Sequence, residues 1–220
     1  MIAFENERQT EEAVSLWREA FGDEEAYIRC FLSRHDGAAA LTESENGALI
    51  SALYLLDGAI QTGDEAHKAF YLFAAATFKK HRGQGYMARL LQKAKEYAFN
   101  NGAQYIALVP ASPALFDYYA RFGYQTAFYA RTVRADAAAA FDQTTDRFLW
   151  SDVHLRYMKE EAKTFHYPII EINGMLFSVD DDRIRIPDPQ KEHPCGMLLP
   201  LTETAKTKLP DNAYIGLTME

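Results

Sequence analysis

Cysteine is nearly absent. Cys30 and Cys195 are the only two in 220 residues, far apart and too few for a disulfide framework, which points to a reducing compartment and a cytoplasmic protein. No apolar run approaches the length of a membrane span. The opening Met1-Ile2-Ala3-Phe4-Glu5 lacks the basic stretch and apolar core of a secretory signal. Positive charge is also short: 23 Lys and Arg against 31 Asp and Glu leave a formal net charge of −8. Recognition of a phosphate backbone wants a basic surface, so nucleic acid is not expected as a partner, and neither is a membrane. The 6 histidines show no paired ligand spacing, and no metal is expected. Asp180-Asp181-Asp182 looks like a metal loop only superficially; between two strand-like apolar runs it reads as a solvated turn. Repeats and low-complexity tracts are missing.

What is present is a chain with 48% hydrophobic residues, long enough to bury a full core. Its first forty residues read as two helices. Thr10 is placed to cap the first, with Glu11 and Glu12 in the opening turn and Ala13, Val14, Trp17, Ala20 and Phe21 on one face. Gly22 ends it, and Asp23 is placed to cap a second helix that carries Tyr27, Ile28, Phe31 and Leu32. Strands follow over 39–42 and 48–60, joined at Asn46-Gly47, a strong hairpin signal. A third strand covers about 68–78.

Next comes His81-Arg82-Gly83-Gln84-Gly85-Tyr86, between that strand and a well-patterned helix whose stripe is Met87, Leu90, Leu91, Ala94 and Ala98. Two glycines remove two β-carbons, so the backbone can bend sharply and present N–H groups to a bulky anion. The helix start adds partial positive charge at the same point, and Lys79, Lys80 and Arg82 add whole charges. Asn101-Gly102 stops the helix, Tyr105 to Val109 reads as a buried strand, and Ser112-Pro113 as the cap and first turn of a helix presenting Leu115, Phe116, Tyr119 and Phe122. Strand character resumes over 125–133. An alanine-rich linker, 137–140, leads to a helix over about 151–163, strands near 167–172, 174–179 and 183–186, a proline-rich connector, a short helix near 202–208 and an apolar ending over 213–219. The sum is an α+β fold.

Arg82-Gly83-Gln84-Gly85 with Leu90-Leu91, followed by Tyr119-Ala120-Arg121-Phe122-Gly123-Tyr124, resembles the two signature segments of GNAT-family acetyltransferases. Leu16-Trp17, Phe21-Gly22-Asp23, Val109-Pro110-Ala111 and Leu115-Phe116-Asp117-Tyr118-Tyr119 are further similar to a bacterial branch related to the Eis-like acetyltransferases. The resemblance covers about residues 1–133. It implies a mixed, mostly antiparallel sheet flanked by helices over 1–134, with a smaller α+β accessory region over 135–220 that could be a shortened second GNAT-like half.

The resemblance also implies acetyl-coenzyme A as acyl donor and a small-molecule or peptide amine as acceptor; a homo-oligomer is compatible with it. Its pyrophosphate would lie on the amides of Arg82, Gly83, Gln84, Gly85, Tyr86 and Met87. Its pantetheine arm would lie along Ala75, Ala76 and Thr77, with Ser112 opposite. Tyr119, four residues before Gly123, would protonate the departing thiolate. Many relatives keep a glutamate on the strand 70–77, and this chain has none there. The proton acceptor is therefore sought farther away, at Asp57, in Asp23 to Glu25, or at Glu220, the last suggested by the Eis-like resemblance. Cys30 is a poor acyl-carrying nucleophile, since His35 is the only histidine near it in sequence. The rival reading is a non-catalytic coenzyme A sensor or interaction module on the same fold.

Overall fold

The computed structural model describes Phe4, residues 6–136, 146–172, 175–207, Pro210 and 213–216. Helix α1 (Glu7–Phe21) begins a turn earlier than expected, because Asn6 rather than Thr10 is the cap and accepts the Gln9 N–H at 3.0 Å. Gly22, at φ 82°, stops it as anticipated. Helix α2 (Glu25–Arg34) has Glu24 at its cap position with no side-chain bond. Asp23 is not a cap either: its carboxylate is occupied by the Trp17 indole N–H at 2.7 Å.

Strands β1 (Ala38–Glu45) and β2 (Ala48–Thr62) form the hairpin at Asn46-Gly47, with both turn residues at positive φ. Strand β3 (Glu65–Thr77) returns along β2 and runs through a short 3-10 turn, Lys79–His81, into helix α3 (Tyr86–Asn100). Strand β4 (Tyr105–Leu108), helix α4 (Pro113–Ala120) and strand β5 (Gln125–Arg134) complete the N-terminal run. The expected linker over 137–140 lies outside the described residues. Beyond it come β6 (Arg147–Trp150), α5 (Asp152–Phe165), β7 (Ile169–Ile172), β8 (Met175–Ser178), β9 (Arg183–Pro187), β10 (Pro194–Pro200) and α6 (Glu203–Thr207).

One sheet runs in the order β1-β2-β3-β4-β10-β5-β9, with β6 also on β2, while β7 and β8 form a separate pair. Strand β6 takes the edge of β2 over Gly58 to Gln61, just past where β1 leaves it at Leu56. Among the described strands only β3 and β4 pair in parallel, the rest being antiparallel, so the mostly antiparallel α+β fold is present. One strand from beyond residue 134 enters the sheet: β10 lies between β4 and β5, antiparallel to both. Gly196 permits this, since a Cβ there would stand 3.0 Å from the Leu108 carbonyl oxygen and 3.0 Å from Phe128.

Residues 49–56 are buried continuously because β2 is covered on both faces. Tyr54 and Leu56 join Trp17, Ile28, Phe31 and Tyr157 in one core; Leu53 and Leu55 join Leu90, Leu91, Tyr119 and Tyr124 in the other.

Candidate active site

The site originates in a divergence of two strands. Strand β3 pairs with β4 only at Ala69–Tyr71, opposite Tyr105–Ala107, although β3 continues to Thr77. Past Tyr71 the two strands separate, and β4 keeps β10 on its other side through Leu108 and Met197. The edge of β3 facing the gap is left with peptide groups that no strand pairs among the described residues, and an amide-bearing ligand can bond to such an edge. The bend lies at Ala74, whose φ is 45°, beside a register break between Ala52/Ala76 and Tyr54/Phe73.

A cavity of about 550 Å³ fills the gap, lined along β3 by Tyr71 to Ala75 and on the other side by Leu108 to Pro113. Of the expected site residues, Ala75, Ser112 and Tyr119 line it together. Trp17, Phe21, Asp23 and Tyr27 close it from the helical side, which explains why Phe21, a large apolar residue, is 42% exposed. Ala76 and Thr77 continue β3 beyond the lining, tied to β2 by Ser51, whose Oγ donates to the Ala76 carbonyl at 2.7 Å and lies 2.8 Å from Thr77 Oγ1. From Tyr71 to Thr77 the strand spans roughly 20 Å at about 3.3 Å per residue.

The glycine turn stands at the far end of that track. Gly83 and Gly85 adopt φ of 77° and 80°, backbone that side chains rarely enter. No atom lies within 4 Å of a Cβ built on Gly83, and only the Arg89 guanidinium, at 3.6 Å, approaches one on Gly85. The space in front of the turn is therefore open. Arg89 donates the first helical bond back to Gly85, at 3.1 Å, and Gly85 caps the helix without a side chain, so the amides from Gly83 to Ala88 stand at the opening of α3; the Arg82 amide, expected among them, is instead donated to the Lys79 carbonyl at 3.3 Å. Arg82 Nε donates to the Thr77 carbonyl at 3.1 Å, and the Lys79 N–H donates to Glu19 at 2.6 Å, fixing the turn to β3 and α1. Tyr86 is held by its hydroxyl on Glu45 at 3.1 Å and by the Arg89 guanidinium 4.5 Å above its ring. Met87 packs half-buried against the core under α3.

Tyr119 is 8% exposed, its ring 5.6 Å from that of Tyr124. Among the described residues nothing hydrogen-bonds its hydroxyl. Burial, with a smaller contribution from Tyr118, pushes its pKa up to about 12, so it stays protonated at neutral pH. Tyr118 is turned away, outside the cavity lining and under the Arg121 guanidinium at 5.2 Å. Ser112 stands at the cap position of α4 and lines the cavity, but its side chain makes no capping bond, against the expectation of a helix cap first.

The proton-acceptor candidates separate clearly. Asp57 lines neither this cavity nor its neighbour, and Glu220 lies outside the described residues. Asp23 lines the cavity with Tyr119, its carboxylate oriented by the Trp17 indole. Its visible sequence signal was an acidic residue after the Gly22 stop, which reads first as a cap. Cys195, from β10, also lines the cavity; nothing in the local sequence pointed there. Among the described residues, no cluster of His, Cys, Asp or Glu is arranged to hold a metal, and no helix is long and apolar enough to cross a membrane.

The fold has known counterparts. The family described as Acetyltransferase (GNAT) domain matches residues 3–127, and the chain belongs to that family of acyl-transferring enzymes. No curated protein matches the chain. Its fold is similar to a GCN5-related N-acetyltransferase from Kribbella flavida, with TM-score 0.61 and 15% identity over 93% of this chain and 73% of that one. A GCN5-related N-acetyltransferase from Anabaena variabilis gives TM-score 0.55 at 10% identity, over 93% and 74%. Eis1 from Mycobacterium abscessus gives TM-score 0.49 at 16% identity, over 63% of this chain and 36% of that one. The chain spans about a third of the length of the longer structures it matches.

Proposed function

We propose that the protein is an acetyl-coenzyme A-dependent N-acetyltransferase acting on a primary amine by direct attack. The observation that carries this reading is the splay of β3 from β4, with Tyr119 and Asp23 lining the gap and the open glycine turn at the far end of β3. The pyrophosphate sits on the amides of Gly83 to Met87, the Arg82 N–H being spent on the Lys79 carbonyl, the pantetheine follows Ala75 to Thr77 as an added half-strand, and the thioester reaches the cavity beside Ser112.

The acceptor must lose a proton before it reacts, since an ammonium has no lone pair. Asp23 takes that proton, in preference to Asp57, which lines neither cavity. The amine nitrogen then attacks the thioester carbonyl carbon. A C–N bond forms and the C–S bond breaks; the second proton, which the nitrogen sheds as the amide forms, ends on the departing sulfur by way of the Tyr119 hydroxyl, which donates to the thiolate and is itself restored. No acyl-enzyme forms. The region from 147 onward completes the sheet through β10 and walls the acceptor side through Arg185 and Cys195, a role that one continuous sheet favours over a second GNAT-like half.

The test is calorimetric titration with acetyl-coenzyme A, followed by a thiol-release assay over primary amines. Binding with amine-dependent thiol release is expected. Binding with no release for any amine would overturn catalysis and favour the sensor reading, and no binding would overturn both.

A further inference from the structure

A second cavity, of about 940 Å³, adjoins the first, and among the described residues only Asp23, Tyr27 and Arg185 line both. These three form the neck between the two spaces. Two of them carry opposite charge, and they are the sole charged side chains among the described residues lining the first cavity. Asp23 is the proton acceptor of the transfer step. Arg185 takes no step in it.

The two charges reach the neck from different parts of the chain. Asp23 stands between α1 and α2, where the Trp17 indole holds its Oδ2, and among the described residues nothing hydrogen-bonds its Oδ1. Arg185 is half-buried on β9 between the buried Ile184 and Ile186, its main chain fixed by the Tyr214 hydroxyl, which donates to the Arg185 carbonyl at 2.6 Å. Its guanidinium carries N–H donors in a planar fork, so a ligand carboxylate can take two of them beside any contact the side chain already makes. The first cavity also holds the Tyr119 hydroxyl, on a side chain 8% exposed, with no partner among the described residues.

A charge in a mostly apolar cavity is costly unless a partner or a ligand answers it. A plain amine answers Asp23 alone. A molecule with an ammonium one carbon away from a carboxylate answers both walls of the neck, and the guanidinium fork is the side-chain group that matches a carboxylate bidentately. Beyond the neck the second cavity is walled by Tyr27, Met158, Phe165, Phe177 and Ile215, which gives room and contact surface to a large apolar side chain.

We propose that the neck binds an α-amino acid with a large apolar side chain as the acceptor: its amine meets Asp23, its carboxylate is held by Arg185, and its side chain extends into the second cavity. Arg185 then sets specificity, and the product is an N-acetyl amino acid. This deepens the acetyltransferase reading and rests on it for the reacting end.

Thiol release is measured with three matched pairs of amino acid and decarboxylated amine: phenylalanine with phenethylamine, tryptophan with tryptamine, and leucine with isopentylamine. Wild type, Arg185→Gln and Arg185→Lys are compared, with melting temperature as the check on folding. A difference in amine basicity within a pair is the same for every variant, so the change in the kcat/KM ratio on substitution reads the contact with Arg185. Wild type is expected to favour the acid about tenfold or more in at least one pair, chiefly through KM; Arg185→Gln should bring that preference to about threefold or less, and Arg185→Lys, which keeps the charge but not the fork, should fall between. No preference for the acid in any pair, or an unchanged preference in a folded Arg185→Gln, overturns the proposal and leaves the transferase.

If Arg185→Gln does not fold, wild type is compared on the best amino acid and its α-carboxamide. The amide's amine is the less basic of the two, so a preference for the acid cannot come from basicity, and its absence overturns the proposal. If no compound releases thiol, calorimetric titration into the protein saturated with coenzyme A separates the two readings. Amino acids bound more tightly than their amines, and less so in Arg185→Gln, remove acetyl transfer and leave the amino-acid site, whereas no such preference removes the site as well.

Discussion

Replacing Tyr119 by phenylalanine removes one oxygen and leaves the ring where it packs. That hydroxyl has no hydrogen-bond partner among the described residues, so no buried group is orphaned, and the stability change should stay within about 0.5 kcal/mol. The catalytic cost is larger and can be bounded. General acids contribute roughly 10²- to 10⁴-fold. A phenol raised to about 12 is a weak donor toward a thiolate of ordinary pKa near 8.5, so its main service is a hydrogen bond that grows as charge develops on sulfur. That places the loss at the lower end, about a hundredfold in kcat, or ~2.7 kcal/mol of barrier. KM for acetyl-coenzyme A should hardly move, since the thioester's binding contacts lie on β3 and the glycine turn.

The pH profile adds a second constraint. A donor with its pKa near 12 remains protonated through the working range, so wild type should show no falling limb assignable to Tyr119 below about pH 11. Steady-state thiol-release kinetics from pH 6 to 10 on wild type, Tyr119→Phe and Tyr118→Phe would measure both effects. Tyr118 does not line the cavity, and its variant should keep kcat within about twofold. Equal losses in the two variants would refute the reasoning, as would a basic limb near pH 8 to 9 that disappears only in Tyr119→Phe.

Gly85→Asp places a side chain and a negative charge at a φ of 80° in the open space before α3, and should weaken coenzyme A at least tenfold by calorimetry in a folded protein. Asp23→Asn retains an acceptor for the Trp17 indole but not a base, so kcat should fall about a hundredfold at pH 7 and recover partly as rising pH neutralises the free amine. The fully buried His35, 3.1 Å from His154, has its pKa lowered from 6.5 to about 4 chiefly by burial. Because the folded value is depressed, the neutral ring's contribution is whole above pH 6.5 and is lost as pH falls toward 4, up to about 3 kcal/mol, measurable as a falling urea midpoint; a midpoint flat from pH 7 to 4.5 would contradict it.

The local parts of this protein were legible because their signals are local. The Asn46-Gly47 hairpin, the stripe of α3, the left-handed stop at Gly22 and the two-glycine turn each depend on a few adjacent residues, and each formed where the pattern placed it. Errors arose where two local uses compete for one residue. Asp23 reads as a cap but is bonded to an indole six positions earlier, and Ser112 holds a cap position without capping. Only the tertiary structure decided the rest. That Pro194–Pro200 enters the sheet between β4 and β5, that β6 extends β2, and that Arg185 from β9 lines a cavity with Asp23 are pairings across tens of residues. Such pairings are chosen by packing and hydrogen bonding of the whole chain rather than by the propensity of any segment in it.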